Sequence, residues 1–179
     1  MSSRVLEVTA TELGARTEQV LSVYAEAMEV SPAAAASRRS ILTAHLQRGG
    51  FRARIAVDQG DRLVGVAYGY LGEPGQWWHD QVADALAPEQ ERAWLAGAFE
   101  VCELHVRPAH QGTGLGRALL DALLAGPVSP TAVLTTPDAD TRARRFSRQG
   151  GWVDLRCGLR FPGDPRVFAV LGLRLAPPP

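Results

Sequence analysis

A glycine-rich stretch, LHVRPAHQGTGLGRALLDALLAG at residues 104–126, does most to limit the folds open to this chain of 179 residues. Five residues that suit the end of a strand precede glycines at 112, 114 and 116 and then a strongly helical run. Glycine lets a backbone approach a ligand closely, and the N–H groups of a helix's first turn attract anions. The pattern indicates either a phosphate-binding strand, loop and helix or an ordinary glycine-rich connection.

Two familiar phosphate-binding motifs do not match this stretch. A dinucleotide fingerprint that begins at Gly112 needs Gly or Ala at position 117, where this chain has Arg117. One that begins at Gly114 needs Gly or Ala at position 119, where this chain has Leu119. A mononucleotide P-loop needs a lysine, and the chain contains none. The ligand of the loop must therefore be inferred from its context, with a distant nucleotide-binding protein as one alternative.

Hydrophobic periodicity predicts one domain over residues 4–176 and a disordered tail at 177–179. The expected order is a strand, two helices, a hairpin around DQGD, a long connector, the strand FEVCELHV, the glycine loop with its helix, the strand TAVLTT, a further helix and two strands. A doubly wound open sheet would alternate strands and helices from its beginning. The order instead indicates an α/β (α+β) fold with a mixed sheet.

The two helices predicted before the hairpin have recognisable ends. We expect Thr9 or Thr11 to cap the first helix and Pro32 to end it. The second is predicted over residues 37–47, with Ile41 directed inward and two glycines as its stop. The sequence therefore predicts two long helices between the first strand and the hairpin.

Composition argues against several classes of partner. Basic and acidic residues balance at 19 each, which gives no general field for nucleic acid or an anionic membrane, and no window approaches a membrane span of ~20 apolar residues. Cys102 and Cys157 lack the spacing of a disulfide framework or a metal site. With no apolar signal segment in MSSRVLEVTATEL, we expect a cytoplasmic protein without a metal.

The segment VRPAHQGTGLGRALL resembles the acyl-CoA-binding signature of the GNAT superfamily of N-acetyltransferases, with Gln111, Gly114 and Gly116 at its defining positions. A second motif has the spacing common in that family and is carried by Asp140, Ala143, Phe146, Ser147, Gly151 and Trp152. The resemblance implies a GNAT-like, mostly antiparallel mixed sheet of about seven strands. It also implies that the sheet is splayed at the acyl-CoA site and flanked by four or more helices.

The same resemblance implies acetyl-CoA as the co-substrate. The main-chain amides of residues 111–117 would hold its pyrophosphate, and the preceding strand would pair with its pantetheine arm. The cofactor-binding residues implied in this way are Leu104, His105, Val106, Gln111, Gly112, Thr113, Gly114, Leu115, Gly116, Arg117 and, in the second motif, Asp140.

The reaction implied by the resemblance is direct attack of a primary amine on the thioester. An alkylammonium with a pKa of ~10.4 must first lose a proton, which costs roughly 4 to 5 kcal/mol at neutral pH, so a general base is expected. Glu100 and Glu103 are the catalytic candidates; a carboxylate in water and an ion pair with an arginine are the respective structural alternatives. Ser147 stands where the family usually has the Tyr that protonates the thiolate, and we expect it to line the sulphur site instead.

The acceptor is expected to be a small-molecule or peptide amine. Trp77, Trp78 and His79 in the connector at 72–98 are candidate substrate contacts, because aromatic faces bind cations and flat groups. Packing of a loop helix by Trp78 and Trp94 is the alternative. The sequence leaves the oligomeric state open, although the apolar final strand RVFAVLGL is compatible with strand pairing in a homodimer. A longer acyl-CoA as donor, and a non-catalytic acyl-CoA sensor, which Ser147 favours, remain alternative functions.

Overall fold

The computed structural model describes residues 3–126 and 129–175, and the chain divides into two compact units. The first unit comprises the described residues up to Tyr70 together with Val101–Ala125. The second comprises Leu71–Glu100 and the described residues from Gly126 onward. The predicted tail at 177–179 lies outside the described residues, and the single domain stays a prediction.

Seven strands and eight α-helices occur in residues 3–126 and 129–175. The strands are β1 (Arg4–Val8), β2 (Arg52–Val57), β3 (Leu63–Leu71), β4 (Phe99–Val106), β5 (Thr131–Pro137), β6 (Val153–Leu159) and β7 (Phe168–Arg174). The helices are α1 (Ala10–Gly14), α2 (Thr17–Met28), α3 (Pro32–Ala36), α4 (Arg39–His45), α5 (Trp77–Ala83), α6 (Pro88–Trp94), α7 (Leu115–Leu124) and α8 (Arg142–Gln149). The predicted fold class, a mixed and mostly antiparallel sheet of seven strands with helices, is confirmed.

The first unit carries the strand order β1, β2, β3, β4. The β1 and β2 strands pair antiparallel, as do β2 and β3, which confirms the predicted hairpin. Alternating branched and aromatic residues favour such strands, and the apolar side chains pack with α1, α2 and α4. The core residues of this unit include Leu13, Val20, Val23, Leu42, Ile55, Leu63 and Val66.

The first helix predicted before the hairpin is wrong, because it is two helices, α1 and α2. A short α3 that was not predicted follows, and α4 matches the second predicted helix within two residues at each end. Thr9 forms a capping box with Glu12 and opens only α1, while α2 begins later without a side-chain cap. Pro32 does not end a helix; it occupies the first turn of α3, where its missing N–H costs nothing. Ile41 of α4 is 40% exposed, so its predicted inward direction is also wrong.

The second unit contains the start of β4 and the order β5, β7, β6. Phe99 and Glu100 pair in parallel with β5, and β7 pairs antiparallel with β5 and with β6. Because both edges of β7 are occupied by β5 and β6, RVFAVLGL does not offer a free strand edge to a second copy, and a homodimer stays a prediction. Trp94 packs over Gly172 in this unit, in agreement with the interpretation of Trp94 as a packing residue.

Substitution of Gly172 by alanine is expected to destabilise the protein by about 1–3 kcal/mol, because overpacking forces neighbours out of place. A Cβ at this position would lie 2.6 Å from Cε3 of Trp94 and 2.9 Å from Cδ1 of Leu155. Chemical denaturation of Gly172→Ala measures the effect. The loss of unfolding free energy caused by Gly172→Ala should be smaller in a protein that also carries Trp94→Leu. An equal loss with Trp94 and with Leu at that position would contradict the proposed clash.

Candidate active site

The glycine loop between β4 and α7 has a backbone that only glycine adopts readily. Gly112 and Gly114 have φ angles of 80° and 87°, in the left-handed region that is strained for residues with a Cβ. Gly114 is also the N-cap of α7, and no side chain caps that helix. A Cβ on Gly114 would meet no atom within 4 Å, so the backbone conformation, and not crowding, requires glycine there.

The main-chain N–H groups of this loop are available to a ligand. Within the described part of the chain, the five amides from Gly112 to Gly116 donate to no other group of the protein. Backbone pairing resumes at Ala118, whose N–H donates to the carbonyl of Gly114 at 3.0 Å. Successive amides at the N-terminus of a ten-residue helix form an anion-binding arrangement.

Two side chains tie the N-terminal part of the loop to the residues before it. Gln111 Nε2 donates to the carbonyl of Val106 at 2.8 Å, and Thr113 Oγ1 donates to the carbonyl of His110 at 2.8 Å. Both bonds close the chain on itself immediately before α7. These contacts restrict the loop without using the five amides, because each donor is a side-chain atom.

Arg107 anchors the end of β4 to the neighbouring strand and to α2. Its side chain is buried, its Nε donates to the carbonyl of Leu63 at 2.8 Å, and its Nη2 donates to Ser22 Oγ at 3.1 Å. Its Nη1 bonds Glu26, and that hydrogen bond lowers the pKa of Glu26. A buried arginine is stable when its donors are satisfied in this way.

Glu103, a predicted catalytic residue, is the centre of a charged cluster in the first unit. Its side chain is only 12% exposed; Oε1 accepts from Arg38 and Oε2 contacts Nε2 of His105. Burial alone raises the pKa of Glu103, but His105 and the Arg38 guanidinium lower it by more, so the net pKa is below its ordinary value. The ion pair named as the structural alternative for Glu103 is therefore present.

A pocket surrounds this cluster, and we call it the Glu103 pocket. Its polar lining comes from Glu103, His105, Arg38, Tyr24 and Tyr68. The Tyr24 ring contacts the His105 ring edge to face at 5.1 Å, and the Arg38 guanidinium carbon lies 4.9 Å from the Tyr24 centroid. The apolar lining consists of Val20, Leu21, Ile41, Leu42 and Val66. The pocket thus combines a charged cluster with aliphatic walls.

The remaining predicted catalytic and cofactor residues lie in the second unit. Glu100 is buried on β4, so the alternative of a carboxylate in water is excluded. Ser147 is buried in α8 and its hydroxyl donates to the carbonyl of Ala143 at 3.1 Å. The Asp140 carboxylate is 83% exposed and pairs with Arg145 at 2.8 Å.

The predicted acceptor contacts begin α5 and differ in exposure. Trp77 is 56% exposed, with its ring centroid 5.3 Å from that of Phe161. Trp78 is half-buried, and its indole nitrogen donates to Thr135 Oγ1 at 3.3 Å. His79 is buried and its Nδ1 lies 3.4 Å from Asp80. Only Trp77 offers an open aromatic face.

The described residues lack two features that would indicate particular partners. Residues 3–126 and 129–175 contain no group of three or more His, Cys, Asp or Glu side chains placed to hold a metal ion. Within the same residues, no helix has the length and apolar character needed to cross a membrane.

Comparison with known proteins decides the family. Residues 18–151 match the model of the acetyltransferase (GNAT) family. The chain belongs to the GNAT acetyltransferase family. It is 34% identical to the GCN5-like protein acetyltransferase Rv2170 of Mycobacterium tuberculosis, over 98% of this chain and 99% of that relative.

Solved structures support the fold of this GNAT acetyltransferase. An acetyltransferase from Thermus thermophilus superposes with a TM-score of 0.65 at 17% identity, covering 98% of each chain. Arabidopsis thaliana NAA60, solved in complex with a bisubstrate analogue, gives 0.66 at 12% identity, covering 98% of this chain and 100% of the other. At these identities the likeness concerns the fold alone.

Sequence reasoning missed two arginines of this GNAT acetyltransferase. Arg38 reaches Glu103 across 65 positions, and Arg107 reaches Glu26 across 81. The residues of each pair are too far apart in the sequence for helix or strand periodicity to predict their contact. The only indication in the sequence was a carboxylate in an apolar strand, which requires a buried partner of opposite charge.

Glu103→Gln is expected to make the stability of the fold less sensitive to acid. The folded-state pKa of Glu103 lies below the ordinary value of 4.5. Its ionised form therefore stabilises the fold above that value, and this contribution is lost as the pH falls through the lowered folded-state pKa. Urea unfolding of both proteins should give a free-energy difference that is constant above about pH 5 and shrinks below about pH 4.5.

Glu89→Gln is the matched control, because the Glu89 side chain is 79% exposed and its ion pair with Arg92 is a surface pair. The free energy of unfolding of Glu89→Gln should differ little from that of the parent protein at every pH. A Glu103→Gln difference that remains constant down to about pH 3 would contradict the lowered pKa of Glu103.

Proposed function

We propose that this chain transfers the acetyl group of acetyl-CoA to a primary amine by direct attack of the amine on the thioester. Family membership supports acetyl transfer. The observation that carries the proposal is the row of five available amides from Gly112 to Gly116 at the N-terminus of α7. The diphosphate of coenzyme A supplies several acceptor oxygens and the negative charge that this helix terminus favours.

The residues next to this row complete the proposed cofactor site. The backbone of Leu104, His105 and Val106 on β4 would pair with the amide groups of the pantetheine arm, and the flanking Gln111 and Arg117 stay in the proposal. Asp140 is not carried over, because an exposed carboxylate paired with Arg145 offers no donor to an anionic cofactor.

The acceptor proposed is an amine on an aliphatic stem, such as a lysine side chain of a peptide. The name of the relative from Mycobacterium tuberculosis, a protein acetyltransferase, supports a peptide acceptor. The Glu103 pocket, which sets a carboxylate and a histidine ring beside aliphatic side chains, suits the small charged end of such an amine. Trp77 is retained as a proposed acceptor contact because it is 56% exposed, whereas Trp78 and His79 are engaged inside the second unit.

Proton transfer is proposed to depend on the carboxylates of β4. Glu100 is buried, and Glu103 belongs to the charged cluster. Ser147 remains a proposed residue of the sulphur site, but its hydroxyl proton is held by the carbonyl of Ala143. A hydroxyl engaged in this way, with a far higher pKa than a phenol, does not serve as the acid for the thiolate.

Acetyl-CoA and coenzyme A are expected to raise the melting temperature, whereas NAD and ATP are not, because ligand binding to the folded state stabilises it. Gly114→Ala should weaken coenzyme A binding in calorimetry by roughly tenfold, since a Cβ costs about 1–2 kcal/mol in the left-handed region. Gly163→Ala is the matched control, with a φ of 83° and open space around its Cβ. Equal affinities in both variants would contradict the loop assignment.

Amine dependence separates the enzyme from an acyl-CoA sensor. We expect thiol release from acetyl-CoA in the presence of lysine-containing peptides, with little release when the peptide lysines are already acetylated, because the acetylated amine is no longer nucleophilic. The measurement is a colorimetric thiol assay with and without acceptor. Binding of acetyl-CoA without release for any peptide or small amine would favour the sensor.

A further inference from the structure

Both oxygens of the Glu103 carboxylate are already engaged. Oε1 accepts from the Arg38 guanidinium, and Oε2 contacts Nε2 of His105. A carboxylate whose pKa is lowered by two such partners binds a further proton weakly. Glu103 is thus a poor direct acceptor for the proton of an ammonium group.

The geometry of His105 suits that task better. Glu103 and His105 are two positions apart on β4, so their side chains lie on the same face of the strand. Because an ionised carboxylate only accepts hydrogen bonds, the ring nitrogen that faces it carries the proton. Neutral His105 therefore has its lone pair on Nδ1, for which the described residues provide no hydrogen-bond donor.

We infer that His105 accepts the proton of the acceptor ammonium in the Glu103 pocket, and that Glu103 is the positioning residue that fixes the tautomer of His105 and stabilises its protonated form. This inference rests on the proposed acetyltransferase function. In this mechanism Arg38 keeps Glu103 ionised and in position.

The proton balance is closed. One N–H bond of the ammonium breaks and its proton moves to Nδ1 of His105, which later releases it to water. The neutral amine forms the C–N bond to the acetyl carbon as the C–S bond breaks. The second N–H proton of the amine ends on the departing sulphur, directly or through water. The net reaction releases one proton for each ammonium acetylated.

The surroundings of His105 on every packed element favour this proton transfer. Tyr24 of α2 contacts its ring, and Arg38 before α4 is neutralised by Glu103. Tyr68 of β3 lines the same pocket, and His45 of α4 contacts Tyr68; Cys102, Tyr70 and Arg48 are further titratable groups that interact with these two side chains. Burial raises the pKa of Tyr68 and lowers the pKa of His45, so both are neutral near pH 7. Glu103 thus supplies the negative charge beside the ring.

His105→Gln tests the inference by kinetics, because the glutamine amide can still donate to Glu103 while it removes the base. We expect turnover at pH 7 to fall by about 10²–10⁴-fold, and kcat/KM to recover about tenfold per pH unit as the free amine becomes more abundant. In Glu103→Gln we expect turnover at pH 7 to fall as well, because a neutral glutamine no longer fixes the ring of His105 as the carboxylate does.

The double variant separates positioning from direct catalysis. If Glu103 acts through His105, the double variant should have nearly the same turnover as His105→Gln alone. Glu89→Gln is the surface control and should leave the profile unchanged. A large loss in Glu103→Gln with activity within about threefold of the parent in His105→Gln would overturn the inference and make Glu103 itself the base.

A spectroscopic measurement does not depend on turnover. The chain has 4 histidines, so the ring nitrogens of His105 can be assigned by nuclear magnetic resonance from the signal lost in His105→Gln. We expect the neutral ring to carry its proton on Nε2; a proton on Nδ1 would overturn the inference. Calorimetry with acetyl-CoA on each variant distinguishes the two proposals: a parent protein that binds and turns over nothing removes both, whereas normal binding and turnover in His105→Gln removes only this one.

Discussion

The hydrogen-bonding state of the loop before α7 is the constraint on which the rest of the site depends. Main-chain amides in folded proteins are almost always paired, yet five consecutive ones from Gly112 to Gly116 donate to nothing in the described chain. Water can solvate these amides because the loop is largely exposed, while side-chain bonds of Gln111 and Thr113 tie the N-terminal part of the loop to the residues before it. The protein thereby keeps a rigid row of donors without satisfying them internally, which suits a multivalent anion.

A second constraint is the buried charge on β4. An isolated carboxylate with the 12% exposure of Glu103 would be protonated, and Arg38 prevents this by supplying a charge-assisted hydrogen bond. The helices before the hairpin are divided at Pro32 and again before Arg39, so that Arg38 forms the N-cap of α4. The break between α3 and α4, which the sequence pattern did not predict, therefore lies at the arginine that the carboxylate needs.

The sequence was most informative where signals are local. Alternating residues around DQGD predicted the β2 and β3 hairpin, and the apolar strand before Gly112 predicted β4 and α7 within a residue or so. It was least informative where one local signal competed with another: the capping box of Thr9 and Glu12 opens one turn, and Pro32 starts a helix as readily as it stops one. The Arg38 to Glu103 pair spans 65 positions and leaves no periodic trace in the sequence.

Magnitudes explain how a serine at position 147 is compatible with acetyl transfer. Near pH 7 an alkylammonium with a pKa of ~10.4 lies about 3.4 units from deprotonation, a cost of roughly 4 to 5 kcal/mol. A thiol with a pKa of ~8.5 lies only about 1.5 units above pH 7, so its departure as the unprotonated thiolate costs roughly 2 kcal/mol. Loss of a phenol that protonates the sulphur therefore costs less than loss of the group that removes the ammonium proton. The chain is consistent with this order, because a charged cluster surrounds Glu103 on β4 while the Ser147 hydroxyl is bonded within α8.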